Sequence, residues 1–328
     1  MLAGRPHILF TSTFHSSFID EDIQILRENY DVTVVIASGW TAPFRLLRNL
    51  FAADITFSWF ASLYSSFLVF IAQLFGKKSF IVLGGADVAK EKELQYGIWN
   101  SWWKSHIVRY GISHATVVMA VDQFLGDEAM RLAHYAGENI ITVPTGYDPE
   151  YWKPSGNKAD LVITVASCPD MQRVKLKGVD KFISVAGRMP DIRFKILGID
   201  RRIAAMLNVP DNVECLPFSS RDEVRHSCQQ AKVYCQLSYR EGLPNALCEA
   251  MLCECIPVGT RVGGIPTAIG ETGFIVDYGD ERQTIDAIRD GLRRPSADGM
   301  RARARIASKF TLLQREKALK ASIANLSQ

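Results

Sequence analysis

The 328-residue chain carries a net charge of only +3, from 38 Lys and Arg against 35 Asp and Glu. It therefore lacks the strongly basic field that phosphate-backbone binding leaves in a sequence. No G-x-G-x-x-G follows any strand-like run, and no G-x-x-x-x-G-K-[ST] occurs. The first absence argues against an oxidoreductase on two dinucleotide folds, the second against a P-loop enzyme. The seven cysteines (168, 215, 228, 235, 248, 253, 255) form no Cys-x-x-Cys pair and have no His at zinc-finger spacing, so reduced, buried thiols are expected. Repeats of solenoid period and low-complexity tracts are also missing. The opening MLAGRPHILFTSTF lacks the apolar stretch and small-residue cleavage pattern of a secretory leader, and a cytoplasmic location is expected.

A long uninterrupted apolar run is absent too. Residues 50–75, LFAADITFSWFASLYSSFLVFIAQLF, are broken by Asp54, Ser58, Ser62, Ser65, Ser66 and Gln73. A spanning helix needs about 20 predominantly apolar residues; this stretch reads instead as a strand followed by a helix.

What is present is a repeated alternation. Apolar strand-like runs PHILFTS, DVTVVIAS, DITFSW, KSFIVLGG, ATVVMAV and NIITVP are separated by segments of helical length and pattern. The alternation restarts with LVITVAS, IRFKILG, NVECLPF, KVYCQLS and CIPVG. Near-continuous Val and Ile runs suit strands buried on both faces, so each half reads as an α/β doubly wound parallel sheet. The Pro- and Gly-bearing segment GYDPEYWKPSGNKAD places a hinge at about 150–158. The expected domains are 1–155, 156–310 and a tail, 311–328, whose Leu312, Leu313, Ala318, Leu319, Ile323 and Leu326 make an amphipathic helix. Open parallel sheets bind ligands at the carboxyl ends of their strands, which directs attention to the loops after LFTS, VLGG, TVAS, KILG (ending at Gly198) and CQLS.

One of those loops reads YREGLPNALCEAMLCECIPVG, residues 239–259. A helix is expected to open at Pro244 or Asn245, since Pro suits a first helical position. The amides of Leu243, Asn245 and Ala246 then form a phosphate-binding helix start. Glu241 precedes this helix and Glu249 lies within it. Carboxylates beside an anion site are tolerated when they accept hydroxyl groups of the same ligand, and a carboxylate can take two neighbouring sugar hydroxyls. The residues also fit a solvated helix stripe and a plain turn. A second loop, CPDMQRVKLKGVDKF, packs Arg173, Lys175 and Lys177 before a helix at about Gly178. Cations at a helix start are what a departing diphosphate requires, although a solvated basic loop has the same composition.

Together these stretches resemble the retaining glycosyltransferases of family 4, which have the two-domain GT-B fold. The likeness rests on Glu241, GLPNALC, Glu249, then Ile256-Pro257-Val258, Gly263-Gly264-Ile265-Pro266, ETGFIV, Lys177-Gly178 and VPTGYDPEYWKP. The resemblance implies two Rossmann-like domains facing across a cleft, with the nucleotide-sugar donor in the second. It implies that Glu249 holds the ribose, Glu241 contacts the donor sugar, and Arg173 and Lys177 stabilise the diphosphate. Gly242, Leu243, Pro244 and Asn245 would supply backbone contacts, with Gly198 also on the donor side. No metal or other cofactor is implied, the nucleotide sugar being a co-substrate, and the last helix would cross back to the first domain. Gly84-Gly85, followed by Asp87, stand where the family often has His-Gly; Glu254 and Thr267 also depart from its pattern.

His15, Ser16 and Ser17 follow the first strand and fit an acceptor contact, a donor-phosphate contact or, for the lone His, a structural role; with Gly84, Gly85 and Asp87 they are the expected acceptor-side residues. The run Asp20-Glu21-Asp22 is read as the acidic entry of a helix rather than a metal motif. Basic and aromatic residues in FRLLRNLF (44–51), Lys77-Lys78 and IWNSWWKSHIVRY (98–110) fit a peripheral membrane face or ordinary packing. The expected activity is metal-independent, retaining transfer of a sugar from a UDP- or GDP-sugar to a hydroxyl of a saccharide or lipid-linked acceptor. Alternatives are a non-catalytic nucleotide-sugar-binding subunit and an epimerase or phosphorylase on the same fold.

Overall fold

The computed structural model describes residues 5–325. They form two units, 5–146 with 313–325, and 147–312, and Leu326 of the tail pattern lies outside the described residues.

In the first unit, β1 (His7–Ser12), β2 (Asp31–Ile36), β3 (Ile55–Trp59), β4 (Lys78–Leu83), β5 (Val117–Ala120) and β6 (Ile140–Thr142) make one sheet in the order β2-β1-β3-β4-β5-β6. Every pairing is parallel. Phe10, Phe57 and Phe80 sit in register across β1, β3 and β4 with ring centroids 5.4 and 5.8 Å apart. Such cross-strand aromatic pairs are what fix register in a sheet buried on both faces. Residues 50–75 divide into β3 and the helix Leu63–Leu74, whose start is closed by a reciprocal Ser62–Ser65 capping box. Among the described residues no helix is long and apolar enough to cross a membrane.

The tail helix, Leu312–Ala324, packs into the first unit from Leu313 onward. Its buried stripe is Arg315, Leu319 and Ile323, whereas Leu313 is exposed. The expected stripe therefore runs through Arg315 in place of Leu313, because a buried carboxylate waits for the cation. Arg315 Nε and Nη2 donate to Asp22 at 3.0 and 2.7 Å, Nη1 donates to Val143 O at 2.6 Å, and Trp59 Nε1 donates to Asp22 at 2.8 Å. Asp22 is thus the buried half of an ion pair and not a helix-entry acid; in the helix Ser17–Arg27 only Asp20 lies in the first turn.

The second unit contains β7 (Ala159–Cys168), β8 (Arg193–Ile199), β9 (Val213–Leu216), β10 (Ala231–Gln236), β11 (Ile256–Thr260) and β12 (Phe274–Val276), in the order β12-β11-β10-β7-β8-β9. All pairs are again parallel. The three residues of β12 are too few to show a period, so the strand was not legible in the sequence. The chain leaves the first unit between residues 146 and 147, ahead of the expected 150–158. The aromatics of GYDPEYWKP explain the shift: Trp152 is fully buried, Arg303 donates to Pro149 O and Trp152 O at 2.8 Å each, and Arg225 lies over the Tyr151 ring. The chain runs from β7 outward through β8 and β9, then returns to β10 beside β7. A topological switch point therefore lies between the carboxyl ends of β7 and β10, where open sheets of this type form their ligand crevice.

All seven cysteines are free, and all but Cys215 are buried. Burial pushes the thiols up, to about 11 for Cys168 and about 12 for Cys248 and Cys253, so they are protonated and unreactive at neutral pH.

Candidate functional site

At the switch point the two loops singled out in the sequence meet. After β7, Asp170 caps the short helix Met171–Leu176 by accepting the Arg173 amide at 2.8 Å. After β10, the Tyr239 amide donates to Leu176 O at 2.9 Å, joining the loops through their backbones. Gly178 completes the join. It has φ +65, and a Cβ there would lie 1.8 Å from Leu237 O, so only glycine fits. Replacing Gly178 by Ala is expected to destabilise the chain by about 3 kcal/mol, from a left-handed backbone plus a collision with main chain; a denaturant titration reads the loss.

This arrangement brings Lys177 onto Glu241, with Nζ 2.5 Å from Oε1. The same oxygen accepts Ser238 Oγ at 2.8 Å and Gln236 Nε2 at 3.1 Å. Gln236 Nε2 also donates to Ser238 Oγ at 2.8 Å, and Tyr234 Oη donates to Gln236 Oε1 at 3.0 Å. The carboxylate is 9% exposed and is held in one orientation by a polar chain running out of the sheet. Three donors converging on one carboxylate oxygen fix its geometry, because a low dielectric penalises an unpaired alternative. The members on β10 were missed from sequence, although Tyr234, Gln236 and Ser238 alternate along KVYCQLS and so share one face of a buried strand.

The turn after Glu241 is clamped from β11. Gly264 N donates to Gly242 O at 2.8 Å, and a Cβ on Gly263 (φ +52) would meet Glu241 O at 2.0 Å. Gly242, Leu243 and Pro244 are buried, and the helix Asn245–Leu252 begins with Pro244 in the cap position and no side-chain cap. Asn245 Oδ1 accepts Tyr147 Oη at 2.8 Å, a partner that sequence reasoning did not identify. Glu249 is half-buried one turn beyond Asn245, and its charge raises the thiol pKa of Cys228, Cys248 and Cys253 further, behind the larger effect of burial.

Arg173 is half-buried, with Nε 3.5 Å from Ser167 O, and both it and Lys177 act electrostatically on Cys168. Lys175 is exposed. Beside this pair an open depression of about 480 Å³ is lined by Ser167, Cys168, Gly198, Arg201, Pro217 and Phe218, among others. Gly198 (φ +99) lets β8 approach Ala166 O, which a Cβ would meet at 2.5 Å.

The residues expected on the acceptor side all lie in the first unit. His15 is exposed, 3.7 Å from Asp20; Ser17 begins the first helix, and Ser16 Oγ is buried without a hydrogen-bond partner. Asp87 is turned inward. Its carboxylate accepts the amides of Ala61, Gly84 and Gly85 at 3.1, 3.2 and 2.7 Å, and burial raises its pKa despite those bonds. It fixes the loops after β3 and β4. Phe60, at φ +71, stacks on Phe14 with centroids 5.2 Å apart. Its ring occupies the space over Gly84, where a Cβ would lie 2.3 Å from it.

Among the described residues no group of three or more His, Cys, Asp or Glu side chains is placed to hold a metal ion.

Residues 168–309 match the family Glycosyl transferases group 1, a span that covers both loops of the site. D-inositol 3-phosphate glycosyltransferase of Mycolicibacterium smegmatis is 28% identical over 204 residues, 56% of this chain and 46% of that protein. N-acetyl-alpha-D-glucosaminyl L-malate synthase of Bacillus anthracis is 26% identical over 199 residues, 56% of this chain and 51% of that protein. The chain thus spans about half the length of these curated relatives. Anabaena HepE in complex with UDP superimposes with a TM-score of 0.78 at 13% identity, covering 97% of this chain and all of that one. Sucrose-phosphate synthase from Thermosynechococcus elongatus gives 0.82 at 13% identity over 98% and 99% of the two chains. The fold is therefore that of the GT-B glycosyltransferases, and the segment holding the Lys177–Glu241 pair is the one that is similar to Glycosyl transferases group 1.

Proposed function

We propose that the protein is a retaining, metal-independent glycosyltransferase of family 4, with Glu241 and Glu249 as the two ends of its E-x7-E motif. It would move a sugar from a nucleotide-diphosphate donor to a hydroxyl of a saccharide or lipid-linked acceptor. The observation that carries the reading is the Lys177–Glu241 pair, held at the switch point of a doubly wound sheet beside an uncapped helix start. The names of the matched relatives and the UDP complex of HepE support a nucleotide-sugar donor.

In this reading the diphosphate lies against the amides at the start of Asn245–Leu252, with Arg173 and Lys177 neutralising the charge that grows as it leaves. Glu249 takes the ribose diol and Glu241 a hydroxyl of the transferred sugar. The base lies toward Gly198 and the depression that it helps to line. The anomeric C–O bond to the diphosphate breaks, and the acceptor oxygen bonds to the same face of that carbon. The acceptor's hydroxyl proton leaves on the diphosphate oxygen. Lys177 is shared between Glu241 and the leaving group, so the ion pair holds the cation where the charge develops. His15, Ser16, Ser17, Gly84 and Gly85 are the proposed acceptor-side residues of the first unit, with Asp87 setting the two glycine amides.

A thermal-shift series with UDP, GDP, ADP and their sugars tests the donor. A true donor at about 100 times its Kd adds about 2.7 kcal/mol of stability; no shift with any of them removes the reading. A non-catalytic donor-binding subunit is the second reading, favoured by Phe60 filling the space over Gly84. It requires donor binding without release of nucleoside diphosphate, whatever the acceptor.

A further inference from the structure

The first unit carries a surface that the proposed chemistry does not use. The helices Ala42–Ala52, Leu63–Leu74 and Trp102–His114 pack side by side in chain order. They are the crossovers β2 to β3, β3 to β4 and β4 to β5, each moving the same way along the sheet, and right-handed crossovers in one direction lie on one face. None of the three contains an Asp or Glu; the fourth crossover in the same direction, Gln123–Ala133, packs beside Trp102–His114 and carries Asp127 and Glu128 at the edge of the layer. The opposite helix, Ser17–Arg27, has Asp20, Glu21 and Asp22.

Large apolar side chains are exposed on these three helices and the turns that flank them. Trp40 (84% exposed), Trp102 (77%) and Phe44 (70%) are the most exposed, followed by Leu74, Phe51 and Phe75. The cations stand among them. Arg45 and Arg48 are exposed, and Lys104 Nζ lies 5.5 Å from the Trp103 ring centroid. Ordinary packing does not account for aromatics this exposed, since an aromatic placed for a core buries its area. A second copy of the chain seated on the same three helices would offer their cations no carboxylate, since a two-fold interface pairs the same patch with itself. An anionic bilayer satisfies both features together, with rings entering the headgroup layer and Arg and Lys meeting lipid phosphates.

We infer that this three-helix face is an interfacial membrane-binding surface for anionic phospholipid, with Trp40, Phe44, Trp102 and Trp103 as its inserted anchors and Arg45, Arg48 and Lys104 as its electrostatic contacts. The inference is independent of the transfer reaction.

The test is flotation of the full chain with phosphatidylcholine vesicles, with and without phosphatidylglycerol, alongside its tryptophan emission. The wild type binds the phosphatidylglycerol vesicles, with a blue shift and a fall in binding as salt rises. Trp102→Ser with Trp103→Ser lowers partitioning at least about tenfold, from lost apolar burial. Arg45→Gln and Arg48→Gln lower it about fivefold for each cation removed. Donor thermal shifts stay the same in all variants, which separates this result from failure of the proposed activity. Absence of wild-type binding to anionic vesicles overturns the inference, as does binding that none of the substitutions weakens. A lipid-blind dimer abolished by Trp102→Ser with Trp103→Ser also overturns it, assigning the face to a second copy.

Discussion

Lys177→Ala is expected to lower turnover about 10²- to 10³-fold, the usual scale for losing one contact to charge that develops in the transition state. Glu241→Ala should lose a comparable factor, because the carboxylate both grips the sugar and holds the cation. The two substitutions differ in their effect on stability. Removing Lys177 leaves a nearly buried carboxylate with only the neutral donors Ser238 and Gln236, at a cost of about 2 kcal/mol, since an uncompensated buried charge is what destabilises. Removing both partners should restore part of that stability and none of the turnover. Melting curves and nucleotide-release rates on the two single variants and the double variant complete a cycle. Wild-type rates in either single variant would take that residue out of the mechanism. Rates that recover in the double variant would make the pair purely structural.

The largest effect on stability is expected at Arg315. Its guanidinium and the Asp22 carboxylate are both almost fully buried, and replacing Arg315 by Leu strands a carboxylate whose remaining partner is Trp59 Nε1. Breaking one side of such a pair costs about 3–5 kcal/mol, roughly 10 °C in Tm for a unit of this size. Adding Asp22→Leu should recover much of the loss, because buried ion pairs are often replaceable by apolar side chains. Trp59 Nε1 and Val143 O remain unsatisfied and limit that recovery. A melting temperature unchanged in Arg315→Leu would mean that the tail helix is not anchored by this pair.

The two parallel sheets were legible because continuous Val and Ile runs at short spacing leave few alternatives. The helix start at Asn245 was legible because Pro and a turn preceded it. Lys177 and Glu241 could be chosen as residues, but not as a pair, because their contact depends on Gly178 lying against Leu237 and on the Tyr239 amide reaching Leu176. Close approaches of backbone leave no periodic trace. Asp22 misled for a related reason. An acid near a helix start has an adequate local explanation, and its true partner is 293 positions away. Phe60 was invisible because nothing in FSWFAS announces a left-handed backbone at a residue with a side chain.

That 293-position separation also orders the protein's birth. Residues 147–312 are contiguous and can collapse as soon as they emerge, whereas the earlier-made unit holds Asp22 with Trp59 but without its guanidinium until Arg315 is translated. At about 5–20 residues per second the delay is roughly 15–60 s. Through that interval Asp22 lacks its guanidinium, so the first sheet is completed only after the second unit has been made.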